Sequence, residues 1–519
     1  MNRRHFLQLS ARSLVMPVVL DGYGARAFSQ ESAFVQALAQ LTDASDRVLV
    51  LIQLNGGNDG LNTVVPLDQY SRYRTLRSNI ALPEDKVLRL ANNPSMGLHP
   101  AMTGLPRLMN DGLVSVVHSV AYPQPSFSHF RSSDIWFTGA DSNRTLTTGW
   151  MGRYLDEKFP DYPEQYPNAK MPDPLAIQIG AVTSTALLGP FQSMAVALQN
   201  PDTFAQLVGD KPNLDPAGSL DTPGGRNIAF IRQQQLSSVA YAGQIKGAAD
   251  KGRNQVSYPG GNSLADQLRI VARLIHGGLR TRVYYVSLGG FDTHAAQVST
   301  TDPTTGAHAT LLRYLSDSIR SFTDDLKAMG VADRVVGMTF SEFGRRVVSN
   351  NSLGTDHGVA APLFVFGNAV KTREIGRTPN LSDLDNNNLK MQTDFRQIYA
   401  TVLADWLGEG QPVLTDVLNR EFTTVPIFRQ VVTGTEPLPV PFRLYPNPAS
   451  TDVQLESDLL TDVRRLQLFD VTGRSLAPVV HRLSDRSLRL SVGHLPNGVY
   501  GLTVEGRQGV WQGKFLVAH

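Results

Sequence analysis

Cysteine is absent from the 519 residues of this sequence. That excludes disulfides, thiolate metal sites and a cysteine-derived sulfatase nucleophile, so any bound metal must be held by oxygen and nitrogen. An excess of one charge is lacking too. Lys and Arg number 48 against 46 Asp and Glu, a net charge of +2 with no extended basic run, which argues against nucleic acid as a partner. Long apolar runs are also missing. The run from Leu14 to Leu20 falls short of the roughly 20 residues that span a bilayer, so no permanent transmembrane segment is expected. What is present, 41% hydrophobic and 18% charged residues over this length, describes a soluble globular chain of two or three units with a large core.

The amino terminus reads as an address. Asn2-Arg3-Arg4-His5-Phe6-Leu7 is a twin-arginine pattern, followed by the short apolar run and by Ala25-Arg26-Ala27, a small-x-small cleavage site. Residues 1–27 are therefore expected to be a signal peptide for export. A short surface helix with two chance arginines is the plainer alternative.

From residue 32 to 432 strand and helix patterns alternate. Strands are expected at Val48–Leu54, Val114–Val120, Arg282–Leu288, Val335–Phe340 and Leu363–Phe366. Helices are expected at Leu264–His276, at Leu311–Met329, and after a cap at Thr393 or Asp394, with apolar residues at helical spacing and glycines past their ends. Such alternation predicts an α/β domain, a mostly parallel sheet with helices on both faces. Residues 141–261, rich in Pro, Gly and Asn, are expected to be insertions that border the site.

In an open α/β sheet ligands bind beyond the carboxyl ends of the strands, and there this sequence changes character. The aliphatic strand from Val48 runs straight into Asn55-Gly56-Gly57-Asn58-Asp59-Gly60. After Leu288 come Gly289-Gly290-Phe291-Asp292-Thr293-His294; after Phe340 come Ser341-Glu342-Phe343-Gly344-Arg345, and then Gly354-Thr355-Asp356-His357-Gly358. Carboxylates beside histidines at several tips are what a divalent cation requires. Asp59, Asp292, His294, Asp356 and His357 are the candidate ligands, Asn58 and Glu342 the reserves, for Zn, Ca, Mg or Mn. Arg345 could grip an anionic substrate with its planar fork. Each has a plain structural reading: an Asx turn for Asn58 and Asp59, a helix cap for Asp292 and His294, a surface turn for Asp356 and His357, a local salt bridge for Glu342 with Arg345.

A nucleophile is expected in Pro125-Ser126-Phe127-Ser128-His129-Phe130, where Ser126 or Ser128 would sit at a helix amino terminus that favours an oxyanion. Ser128 is equally a good N-cap. His129 suits a ligand, a base or a buried hydrogen-bonded histidine.

Taken together, the twin-arginine start, LIQLNGGNDGLN, PSFSHF, GGFDTH, SEFGRR with GTDHG, and DFRQIYATVLADWLG resemble the domain-of-unknown-function 1501 family of exported bacterial proteins, from about Arg47 to Gly408. That family is grouped with the alkaline phosphatase and sulfatase superfamily. The resemblance implies Asp59 as the first-strand ligand, Ser126 or Ser128 in the nucleophile region, Asp292 with His294 as one ligand pair and Asp356 with His357 as another. The sequence departs from the superfamily pattern in three places. Glu342 stands where the Asp-His pair is expected, no histidine falls between His357 and His481, and no sulfatase modification signature accompanies the serines. The resemblance therefore leaves the metal count and the ester class open.

The carboxyl end is a further unit. Residues 433–441, TGTEPLPVP, read as a stiff proline-rich linker, and 442–519 as short strands of a small all-β sandwich with turns at Thr472-Gly473 and Asn497-Gly498. YPNP, LFDVTGR and LPNGVYGLTVEG resemble the type A sorting domain of the type IX secretion system, which implies the secretion machinery as a partner and a route through the periplasm to the cell surface or the medium. A carbohydrate-binding or spacer sandwich is the alternative. The whole then reads as an exported, metal-dependent hydrolase-like protein for a phosphate, sulfate or other anionic ester, with a small anionic or glycan substrate. The rival is a non-catalytic surface protein binding a glycan or protein partner.

Overall fold

The computed structural model describes residues 46–91, 93–208, 223–371, 373–429, 443–457, 460, 463–470, 474–506 and 509–519, and a short pairing of Val18–Leu20 with Tyr23–Ala25. Apart from that pairing, the expected signal peptide lies outside the described residues, as do the linker 433–441 and the Thr472-Gly473 turn. Residues Asp43–Val431 form one compact unit, and those from 443 onward belong to a second.

The first unit is built on a nine-stranded sheet. In chain order its strands are β1 (Val48–Asn55), β2 (Val114–Ala121), β3 (Ala176–Ile179), β4 (Ala195–Leu198), β5 (Val283–Gly289), β6 (Val335–Phe340), β7 (Ala361–Phe366), β8 (Glu374–Ile375) and β9 (Thr393–Asp394). They lie in the order β8-β2-β7-β6-β1-β5-β3-β4, with β9 also on β2. β1 pairs in parallel with both β5 and β6 along nearly its whole length, and β7 runs against β6 and β2. All other pairings in this sheet are parallel. Every residue of β1 except Asn55 is buried, as an aliphatic strand covered on both faces must be.

α1 (His129–Thr138), α2 (Ser263–His276), α3 (Ala307–Ala328) and α4 (Phe395–Thr401) pack apolar faces into the same core as the sheet. Of these helices, α2, α3 and α4 form where the apolar spacing predicted, and α1 follows the serine stretch. Asn262 caps α2 by accepting from the N–H groups of Leu264 and Ala265. Asp394 caps α4 in a capping box with Gln397. The chain then turns through a π-helical stretch, Val402–Trp406, whose Trp406 indole donates to the Val48 carbonyl at 3.1 Å, tying this segment to β1.

Residues 141–261 hold more than insertions. They contribute β3 and β4, which extend the sheet, and a long helix, Pro223–Lys251. These strands are only four residues each and too short for an alternation signal.

The second unit has two four-stranded antiparallel sheets. β10 (Arg443–Tyr445), β11 (Asp452–Glu456), β15 (Ser487–Ser491) and β14 (Val479–Ser484) make one; β13 (Ser475–Leu476), β12 (Val463–Phe469), β16 (Gly498–Gly506) and β17 (Gly509–Val517) make the other. Val453, Leu455, Leu488 and Leu490 from the first sheet and Leu468, Leu502, Val504 and Phe515 from the second share one core, as in a sandwich.

Among the α/β strands, β1, β2, β5 and β6 point the same way and β7 points back. The segments after the first four and the segment entering β7 therefore meet at one rim. Every candidate site residue marked in the sequence lies in those five segments.

Candidate metal centre

The rim is sewn together by backbone contacts and one guanidinium. Gly56 adopts φ +126°, and a Cβ there would lie 2.2 Å from the Asp292 nitrogen, so only glycine lets the loop after β1 touch the loop after β5. Arg345 is wholly buried. Its Nε donates to the Gly57 carbonyl at 2.8 Å and Nη1 to that of Thr355 at 2.8 Å; Nη2 reaches the carbonyls of Gly56 and Phe291 and the Asp292 carboxylate, the last at 2.7 Å. Residues 344–346 pair with 356–358 in a short antiparallel bridge. The segment bearing Asp356 and His357 is thereby pinned beside the one bearing Glu342.

On this scaffold three imidazoles surround one carboxylate. Asp292, half exposed, lies 3.5 Å from His129 Nε2 through Oδ2, and through Oδ1 3.3 Å from His294 Nε2 and 3.5 Å from His357 Nε2. One ligand atom each from His129, Asp292 and His357 fall within 4.8 Å of one another. The two remaining ring contacts fix orientation. His129 Nδ1 meets the buried Glu342 carboxylate at 2.8 Å, and His357 Nδ1 donates to the Phe127 carbonyl at 2.7 Å. His294 stands alongside, its Nε2 2.8 Å from that of His357 and its Nδ1 3.5 Å from Asp356. The Phe343 ring packs against both His129 and His357, with centroids 4.8 and 4.4 Å away.

The residues fit a divalent cation. Two ligands each about 2.1 Å from a tetrahedral ion lie about 3.4 Å apart, close to the nitrogen–oxygen spacings around Asp292. His129 Nε2 is buried without a hydrogen-bond partner, an arrangement that wastes a polar atom unless something binds it. Burial pushes the Asp292 carboxyl up, but the hydrogen bond and charge of Arg345, with His129 and His294, outweigh it and hold the group below the usual carboxylate range. Burial, aided by the charges of Arg345, His129 and His294 and opposed by the Phe127 carbonyl, lowers His357, which is neutral at neutral pH. Asp356 is held low chiefly by the Asn350 amide. An ionised carboxylate beside a neutral imidazole is the protonation state that metal ligands need.

Other expected residues lie elsewhere. Asp59 is wholly buried and takes hydrogen bonds from Arg77 at 2.7 Å and Gln297 at 2.6 Å; these outweigh the upward push of burial and keep it ionised. Asn58 bonds His308 Nε2 and the Thr63 hydroxyl. Both therefore belong to a buried polar layer outside the His129–Asp292–His357 group. Arg345, with its donors taken by protein oxygens and no exposed surface, has no fork to offer an anion. Nor does it pair with Glu342, whose partner is His129. Asp292 and His294 cap no helix, since the next one begins at Ala307. Ser128 occupies the N-cap position of α1, yet its side chain makes no capping bond and is exposed. Ser126 is half-buried, with its hydroxyl accepting the Ser128 N–H at 3.3 Å.

Arg77, Gln297, His308 and His99, which build that buried layer, carried no motif. Isolated residues in ordinary context give no signal until the chain has folded.

Residues 234–435 match the family model described as "Protein of unknown function (DUF1501)". Residues 443–518 match that of "Secretion system C-terminal sorting domain", which marks the chain as exported to the cell surface or beyond it. The chain is thus an exported α/β protein with a sorting tail, and its α/β unit carries the DUF1501 stretch. No curated protein matches it. Among solved structures it is similar to a protein in the alkaline phosphatase superfamily from Vibrio parahaemolyticus, at 11% identity over 83% of this chain and 85% of that one, TM-score 0.32. The lipoteichoic acid synthase LtaP from Listeria monocytogenes is similar at 11% identity over 73% and 77%, TM-score 0.30, and the PsFucS1 sulfatase from Pseudoalteromonas sp. at 11% over 92% and 88%, TM-score 0.31. Among the described residues no helix is long and apolar enough to cross a membrane.

Proposed function

We propose that this protein is an exported, metal-dependent hydrolase-like enzyme acting on a phosphate, sulfate or other anionic ester. The supporting observation is the convergence of His129, Asp292 and His357 within 4.8 Å at the rim, with one nitrogen of His129 held by Glu342 and the other left without a hydrogen bond. His129, Asp292 and His357 hold the ion, with His294 and Asp356 beside them. A set with two imidazoles favours Zn or Mn over Ca or Mg, which prefer oxygen alone. When bound, the cation lowers the pKa of a coordinated water or hydroxyl and stabilises negative charge on the ester. Ser128, exposed and next to His129, is the nucleophile in preference to Ser126. Residues 1–27 direct export, 32–432 carry the site, and 442–519 engage the secretion machinery after the linker 433–441.

Phe127 and Phe130, 43% and 91% exposed on either side of His129, favour a second reading. Exposed rings beside a polar rim suit a non-catalytic protein that stacks on a glycan or a partner. Elemental analysis of mature protein purified without chelator, with a panel of phosphate and sulfate esters, separates the two. Near-stoichiometric divalent metal and ester turnover, both lost in Asp292→Asn, support the enzyme. Metal-free wild-type protein with no turnover supports the binder.

A further inference from the structure

Glu342 differs from the other carboxylates of the rim. It is 1% exposed while Asp292 is half exposed, and it sits two residues beyond β6 at the centre of the sheet. Its Oε1 accepts the Gly56 N–H at 2.9 Å and faces His129 Nδ1 at 2.8 Å, and its Oε2 lies 3.3 Å from the Ser341 hydroxyl. An oxygen already accepting two N–H groups is poorly placed to bind a cation as well. We infer that Glu342 is a positioning residue, which fixes the tautomer of His129 and aims its Nε2 at the metal, and not a metal ligand. The inference rests on the reading of the rim as a metal centre.

The hydrogen bonds around His129 place its proton. Glu342 Oε1 accepts the Gly56 N–H and is the oxygen that faces His129, so the proton of that contact sits on Nδ1. A neutral imidazole carries a single N–H, which leaves Nε2 with an unshared lone pair. That atom is buried, has no hydrogen-bond partner, and lies 3.5 Å from Asp292 Oδ2, too far for a normal hydrogen bond. The Phe343 ring at 4.8 Å limits how far the imidazole can swing. A carboxylate rooted at a strand end, a ring fixed by it and a lone pair turned to the rim form a rigid support for one ligand.

The test combines a tautomer measurement with metal titration. In metal-free wild-type protein, long-range proton–nitrogen NMR should show His129 protonated at Nδ1. Zn²⁺ titration should then show Glu342→Gln binding about 10–100-fold more weakly than wild type, with a thermal midpoint no lower than that of Ser341→Ala, which removes the hydroxyl that ties the Leu54 carbonyl and the Asn58 N–H beside the same carboxylate without touching His129. A Co²⁺-loaded Glu342→Gln protein should also show a shifted d–d spectrum. Wild-type affinity in Glu342→Gln overturns the inference, and so does an Nε2–H tautomer in the wild type. Wild-type protein that takes up no Zn²⁺ sinks the metal reading instead, and the tautomer still decides whether Glu342 sets His129.

Discussion

At the scale of single residues, the rim depends on buried charges whose partners can be named. Arg345 satisfies four carbonyls and one carboxylate with no exposure to water, so its removal leaves several buried acceptors unpaired. Arg345→Met should cost about 3–5 kcal/mol, read as a fall in the denaturation midpoint; an unchanged midpoint would show that the loops hold without it. Two histidines of the buried layer give a pH signature. Burial lowers His99 to about 3 and His308 to about 4, the nearby Asp59 charge opposing it in both. Unfolded, each takes a proton near 6.5, so between that value and the folded value the unfolded state binds more protons. Stability is therefore at its full value above about pH 6.5 and falls as pH drops toward 4, by roughly 1.4 kcal/mol per pH unit for each histidine. Denaturant melts at pH 7 and 5 should show this, and His308→Gln should flatten the slope; an identical slope would place the protons elsewhere.

At the scale of elements, strand and helix were legible where burial imposed a period. β1, β2, β5, β6 and β7 come from aliphatic runs bounded by glycine and polar residues, and α2 and α4 show the caps that Asn262 and Asp394 supply. β3 and β4 were not legible because four residues carry no usable alternation, and β8 and β9 are shorter still. The site was legible as a set of tips and not as a constellation. Sequence placed Asp292, His294, Asp356, His357, His129 and Glu342 near strand ends, but nothing in it separates Asp59, which pairs with Arg77, from Asp292, which faces the rim. Nor did it show that Arg345 points inward. Gly56 is where the tips touch. Gly56→Ala should displace the Asp292 loop and reduce Zn²⁺ affinity by at least about tenfold, as misplaced ligands do; isothermal titration showing wild-type affinity would remove the need for glycine. Asp394→Ala should cost about 3 kcal/mol or more, since it removes both the cap of α4 and the carboxylate that accepts two hydrogen bonds from the buried Arg396 side chain, with no effect on metal.

At the scale of the whole molecule, two units each bury a core of their own, one around the mixed sheet and one between two antiparallel sheets. Calorimetry should resolve two transitions, of which chelation lowers only that of the α/β unit, since metal binding stabilises the state that holds the ligands. A single transition shifted as a whole would contradict this. Arg345 has a broader effect. Because one guanidinium is the common anchor for loops following β1, β5 and β6, a disturbance in any of them is passed to the rest. Across a library of variants, cation uptake and heat tolerance should rise and decline together, and innovation in chemistry is channelled to outward-facing side chains such as Ser128 and Phe130, where change leaves the anchor undisturbed.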